Sequence, residues 1–525
     1  MTHDGEPGSA AGRGEAVARD AGRRGSVGRA VPAAAHGGSG PSAQGSSVAG
    51  HGSAQDVPGA SGVVAPPAGA PAPTAVPGEP WSTGVTRGDD GAVSVGGVDV
   101  RDLAAQHGTP AYVLDEADLR ARAARLRGAF TAAFARVGAE IDVYYAGKAF
   151  LSLAVARWVH EEGLRVDAST GGELAVALRA GLPGADIGLH GNNKSDAELV
   201  RALDAGVGRI IVDSLVEVDR LADLVRNRGG EPAPVMVRVT TGVHAGGHEY
   251  IATAHEDQKF GLSVAADEGG DSPAMTALLA VLARPELRLL GLHSHIGSQI
   301  LDPSGFAVAA RTVLALRADL GRRTGVLVEE IDLGGGYGIA YLPGERAMVP
   351  ETVARDVADA VAAAAAELET PLPRFSIEPG RAVVGPAGLT LYTVGTVKPV
   401  RLDDGRVRTY VSVDGGMSDN IRPALYGAQY HAEVVGRLSS APAVLARVVG
   451  KHCESGDVVV HEVWLPGDVR AGDLLAVAAT GAYGRSMASN YNLVPRPPVV
   501  AVRDGGSRVL VRRETEDDLL SLDQG

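Results

Sequence analysis

Residues 140–149 read EIDVYYAGKA. Ile141, Val143 and Tyr145 alternate with Asp142 and Tyr144, a period of two that predicts a strand with one face in a core. The strand then runs into Gly147 and Lys148. A lysine at a strand end is ordinarily a solvated edge residue, because its charge is costly to bury. Whether Lys148 is ordinary depends on what ends beside it.

Seven more strands follow the same rhythm: LRVDAS (164–169), DIGLHG (186–191), RIIVDS (209–214), PVMVRVT (234–240), LRLLGLHSHIG (287–297), EEIDLGGG (329–336) and RFSIEPG (374–380). Between them lie stretches such as GGELAVALRAG (171–181) and SDAELVRALDAG (195–206), apolar at helical spacing. Eight β-then-α units predict an α/β fold, the (β/α)8 or TIM barrel. An open doubly wound sheet is the alternative, but it rarely has so many strands in a row. The barrel is assigned to residues 123–385.

Beyond Gly385 the texture changes. LTLYTVGTVKPVRL, RTYVSVDG, APAVLARVVG and DLLAVAATGAYG are β-rich without amphipathic helices between them, which predicts a C-terminal all-β domain over 386–513 and an acidic tail over 514–525. Residues 83–122 also carry strand signals and are expected to add strands to that β domain. Residues 1–82 are Gly-, Ala-, Ser- and Pro-rich, with too little apolar surface to offset the entropy of ordering, and are expected to be disordered.

Composition narrows the function. The net charge of −14, from 49 basic and 63 acidic side chains, argues against a nucleic-acid surface. No apolar run is long enough to span a bilayer and the first residues lack the apolar core of a signal peptide, so a cytoplasmic protein without membrane contact is expected. The single cysteine, Cys453, allows no internal disulfide. His244, His248 and His255 lack a carboxylate at ligand spacing and read as loop residues, so no metal is expected.

In a (β/α)8 barrel the active site is built from the carboxyl ends of the strands. Lys148 ends the first strand, His295 and Ser298 follow the sixth, Gly334, Gly335 and Gly336 end the seventh, and Glu378, Gly380 and Arg381 end the eighth. Singly, each has a bland explanation: a turn, a capped loop, a core histidine. Together they meet the needs of pyridoxal 5'-phosphate: an amine for covalent attachment, glycine amides and an arginine for a phosphate, a carboxylate beside the pyridine nitrogen, and an imidazole to stack on the ring.

YAGKA, HSHIGSQ, DLGGGYG, EPGR, CESGD and GAYG, in this order, resemble the fold-type III pyridoxal phosphate decarboxylases, the ornithine/lysine/arginine class II family, on the alanine racemase-like barrel. HGNNKS, HEDQKFGLS and DGGMSDNIRPALYGA carry the resemblance to the diaminopimelate decarboxylase family within it, over roughly residues 90 to 510. That resemblance implies the decarboxylation of meso-2,6-diaminopimelate to L-lysine and carbon dioxide, the last step of lysine biosynthesis. It implies that Lys148 is the Schiff-base lysine, His295 the stacked histidine, and Glu378 the partner of the ring nitrogen. Ser298, Gly334 to Gly336 and Arg381 take the phosphate-binding roles, Tyr483 touches cofactor and substrate, and Arg381, Arg422 and Tyr426 contact the substrate. Cys453, as catalytic acid, and Glu454, as partner of the distal ammonium, are implied to come from the second subunit of a homodimer with shared active sites.

Ornithine and arginine decarboxylases need no grip on a distal carboxylate, and Arg422 speaks against them. A carboxynorspermidine decarboxylase is harder to separate. The resemblance gives a racemase an arginine where Glu378 stands, and a non-catalytic cofactor carrier lacks the C-terminal β domain.

Overall fold

The computed structural model describes residues 78–243, 259–266 and 270–525. The extension up to residue 77 and the histidines His244, His248 and His255 lie outside the described residues.

All eight expected barrel strands form: β1 (Ile141–Ala146), β2 (Arg165–Ala168), β3 (Ile187–Leu189), β4 (Arg209–Val212), β5 (Ala233–Thr240), β6 (Leu287–Ser294), β7 (Glu330–Asp332) and β8 (Arg374–Ile377). Each pairs in parallel with its sequence neighbour, and β8 returns to β1 through Phe375 opposite Ile141, closing the cylinder. Five of the helices in the outer ring start where a hydroxyl can accept a free first-turn N–H. Ser152, Thr170, Ser195, Ser214 and Ser272 each do so. Val143, Tyr145, Val166, Ile210 and Val235 face that ring and share one apolar core with it.

The interior of the cylinder is not apolar. Arg209 of β4 is 1% exposed, with Nη2 2.7 Å from Asp332 of β7 and 3.3 Å from Asp167 of β2, and Nη1 3.0 Å from Glu330. Nη1 also donates to Ser376 of β8 at 2.8 Å, and the guanidinium lies 3.5 Å from the ring centre of Tyr144 on β1. Five strands are cross-linked through one cation.

Two expectations are corrected. The β8 strand is followed only by the one-turn helix Arg381–Val384, so the eighth α unit is missing there; the long helix Glu116–Arg136, which precedes β1, packs beside Pro350–Glu367 instead. A boundary at residue 123 therefore falls inside a helix. The disordered extension does not reach residue 82: Trp81 and Ser82 are buried, Trp81 within an apolar cluster with Val93, Val95 and Leu389. Within the acidic tail, Thr515 and Asp518 form a capping box that starts the helix Glu516–Leu520.

The C-terminal region is sheet-rich, and Ala111–Asp115 inserts into it between Gly388–Arg401 and Val499–Arg503. Val85–Arg87, Val93–Val95 and Val98–Asp99 form a separate three-stranded sheet. No helix among the described residues is long and apolar enough to cross a membrane.

Candidate active site

The carboxyl ends of the strands gather most of the residues singled out in the sequence. Lys148 sits in the single turn Gly147–Ala149 that ends β1, with its side chain exposed at the rim. Its charge bears on both His295 and Glu173. Tyr483 reaches the same turn from the C-terminal region, its N–H donating to the carbonyl of Ala149 at 2.8 Å. The φ of +60° at Tyr483 makes that sharp approach possible at some backbone cost. Thus GAYG is laid against YAGKA.

His295 is fixed by the glycine triplet. The N–H of Gly335 donates to His295 Nδ1 at 3.2 Å, which leaves the ring proton on Nε2. Burial, and then the charges of Lys148 and Arg238, hold this imidazole well below the usual histidine value, so it is neutral. The triplet needs glycine for space: a Cβ would stand 2.4 Å from the Ser294 carbonyl oxygen at Gly334, 2.2 Å from that of Glu378 at Gly335, and 2.4 Å from that of Gly297 at Gly336. The Gly334 N–H is bound by Asp332 Oδ1 at 2.6 Å, so two of the three amides are committed within the protein. A Cβ at Gly380 would meet the Ala146 carbonyl at 2.9 Å, which lets the eighth strand's end close on the first.

Arg381 and Arg422 are 9% and 7% exposed. Arg381 donates to Ser298 Oγ at 2.7 Å and to the Tyr341 hydroxyl; Arg422 donates to the same hydroxyl at 2.9 Å and to that of Tyr430. Arg381 also lies 4.8 Å from the Tyr483 ring centre. No carboxylate pairs with either arginine among the described residues. Two buried cations sharing one tyrosine hydroxyl are an arrangement suited to an anion.

Glu378 is the opposite case. Burial favours its acid form, but His190 and His293 more than offset this and hold its carboxyl well below the usual range. A carboxylate that stays ionised in a dry pocket suits a protonated ring nitrogen.

Tyr426, Cys453 and Glu454 are not brought to this cluster. Tyr426 ends the short helix Arg422–Tyr426 and is 63% exposed. Cys453 and Glu454 lie exposed on a turn of the C-terminal region, where Glu454 accepts from Ser455 of its own turn. Several contributors were missed from sequence: Tyr341 carried no motif, and Asp167, His190 and His293 lay inside quoted stretches without a role. Only cross-strand proximity assigns them one.

A closed parallel barrel with a rim lysine, a tightly packed glycine triplet and a buried ionised glutamate is the class of fold and site to compare with known proteins. Residues 117–385 match the family model for the pyridoxal-dependent decarboxylase, pyridoxal binding domain. The chain is 51% identical over 447 residues to the diaminopimelate decarboxylase of Mycobacterium tuberculosis, covering 84% of this chain and 97% of that one. Identity to the Bacillus subtilis diaminopimelate decarboxylase is 43% over 433 residues, 82% of this chain and 95% of the relative. The crystal structure of diaminopimelate decarboxylase from M. jannaschii in complex with L-lysine superposes with a TM-score of 0.75 at 32% identity, over 84% of this chain and 98% of that one. The chain belongs to the diaminopimelate decarboxylase family.

Proposed function

We infer that this chain binds pyridoxal 5'-phosphate at the barrel mouth and decarboxylates meso-2,6-diaminopimelate to L-lysine and carbon dioxide. Family membership supports the reaction; the buried pair Arg381 and Arg422, without a carboxylate partner among the described residues, is the observation that supports the site. The residues present fit the coenzyme: the triplet lets the backbone run close beneath the site where no side chain fits, and Glu378 is a buried carboxylate held ionised after the eighth strand. Lys148 would hold the coenzyme through its amine, His295 would lie against the ring, and Gly336, Ser298 and Arg381 would take its phosphate. Bound there, the coenzyme supplies an electron sink for the pair left behind when a carboxylate departs as carbon dioxide.

The chain's own residues decide which carboxylate leaves. Arg422, with its planar fork, grips the distal carboxylate and so directs the other end of the substrate toward Lys148. Tyr341 and Tyr430 orient that fork. Cys453 and Glu454 complete the site from a second copy of the chain, in a cytoplasmic homodimer; their exposure on a projecting turn fits that role. The thiol donates the proton that replaces carbon dioxide at the α-carbon, Glu454 meets the distal ammonium, Tyr426 contacts the substrate, and Tyr483 closes the pocket. An unpaired ammonium or carboxylate in this pocket would cost several kcal/mol, which is the source of selectivity. The test is carbon dioxide release from meso-diaminopimelate beside ornithine, arginine and carboxynorspermidine. Turnover restricted to the first supports the reading, and faster release from any other replaces it.

A further inference from the structure

His190 directly follows β3, and its Nε2 lies 3.1 Å from Glu378 Oε1 and 3.2 Å from Asp167 Oδ1. His293 of β6 places its Nε2 3.0 Å from the same Glu378 oxygen, and Arg209 Nη2 is 3.8 Å from it. These are close charge contacts rather than aligned hydrogen bonds: His190 Nε2 points between two acceptors. His190, Asp167, His293 and Glu378 are 7%, 3%, 0% and 7% exposed. Two carboxylates this near each other in a dry interior cannot both stay ionised without a cation between them. Arg209 does not suffice, because it is already divided among Asp167, Glu330 and Asp332. The nearest approach of each of these basic groups to Glu378 is to Oε1.

We propose that His190 is a positioning residue for the coenzyme: as an imidazolium shared by Asp167 and Glu378, it keeps Glu378 ionised and turned so that Oε2 meets the ring nitrogen. This rests on the reading of Glu378 as that nitrogen's partner. The electrostatics agree. Burial favours the neutral ring, yet the Glu378 and Asp167 carboxylates push His190 up to about 9. Burial and the Glu378 charge raise Asp167, so of the two acids Glu378 is the one kept charged. The groups facing the imidazole from the surrounding elements are Asp167 on β2, Glu173 on the helix after it, Arg209 on β4, His293 on β6, Asp332 on β7 and Glu378 after β8, with Lys148, Arg238 and His295 beyond them. The trio His190, His293 and Glu378 also has the spacing to meet at one metal ion, which the test must separate.

The experiment measures the dissociation constant for pyridoxal phosphate of the full chain and its variants, by cofactor fluorescence, across neutral to alkaline pH, beside the metal content of the wild type. H190N should weaken coenzyme binding at least about tenfold near neutral pH, the worth of one pKa unit on Glu378, and the deficit should fade above about pH 9 as the wild-type imidazolium itself deprotonates. H190N/D167N should recover most of the loss, because removing the second carboxylate removes the repulsion. If H190N does not fold, D167N is decisive: it should bind the coenzyme as tightly as the wild type or tighter near neutral pH, and a tenfold weakening overturns the proposal. So does an H190N deficit that is absent or independent of pH, or a stoichiometric metal ion lost in H190N. E378Q separates the two layers: wild-type affinity there means the reading of Glu378 has failed, whereas a loss in E378Q with normal H190N removes His190 alone.

Discussion

Two sets of buried arginines, one inside the barrel and one where its rim meets the C-terminal region, are treated oppositely. Arg209, inside the cylinder, has Asp167, Glu330 and Asp332 within 3.3 Å and a serine hydroxyl at 2.8 Å. Arg381 and Arg422, at the rim, donate their side-chain hydrogen bonds to hydroxyls among the described residues. Removing a guanidinium from water costs several kcal/mol unless an opposite charge replaces the lost solvation. The fold itself supplies that charge to Arg209. At the rim it supplies dipoles that orient the fork but leave its charge uncompensated by a carboxylate among the described residues, which is what an anion-binding site requires. A buried cation paired by its own chain is architecture; one paired only by phenols and a serine marks recognition.

The largest test of that division is Lys148→Ala, which removes a rim amine and nothing from the interior. Turnover should fall by at least about a thousandfold while the melting temperature stays put, and the visible absorbance of the holoenzyme should vanish. Wild-type absorbance in that variant breaks the assignment of the rim. Arg209→Met asks the reverse question. It strands buried carboxylates, so the denaturant midpoint should drop by the equivalent of about 3–5 kcal/mol, whether or not coenzyme is present. A variant as stable as the wild type would show that the interior charges are not a supporting network. Arg422→Lys keeps the rim charge and loses the planar fork. Steady-state kinetics should show KM for diaminopimelate raised about 10- to 100-fold with stability unchanged, and an unaltered KM would move the distal carboxylate elsewhere.

The same division explains what could be read from the chain. Eight strands were legible because β-rich runs such as RIIV and PVMVRVT stand out against the helical period between them. Lys148, His295, Glu378 and Arg381 were legible because strand ends in a barrel converge by topology. The inward charges were not. Asp167 and Arg209 sit one residue from apolar neighbours on short strands, and nothing local tells an arginine facing three carboxylates from one facing water. Nor was the helix Glu116–Arg136 legible as the one that completes the ring, since that depends on packing against Pro350–Glu367, more than two hundred residues away. Tyr341 bridges two arginines from a loop with no signature at all.

The smallest expected effect is in the pH dependence of stability, and it falls where interior and rim meet. His190 is raised in the folded protein to about 9, from an ordinary value near 6.5 in the unfolded chain. A raised histidine stabilises the fold fully below the unfolded value and loses that contribution as pH climbs through the folded one. The melting temperature of the coenzyme-free wild type should therefore exceed that of H190N near pH 6, by the equivalent of about 2 kcal/mol, and the gap should close by about pH 9.5. His295 works in the other direction, since its depressed value makes the fold lose stability as pH falls through the ordinary histidine range. That contribution is common to wild type and variant and cancels in the difference. A gap that widens with rising pH would mean that His190 is neutral in the folded chain, and that the two carboxylates share a proton instead of a cation.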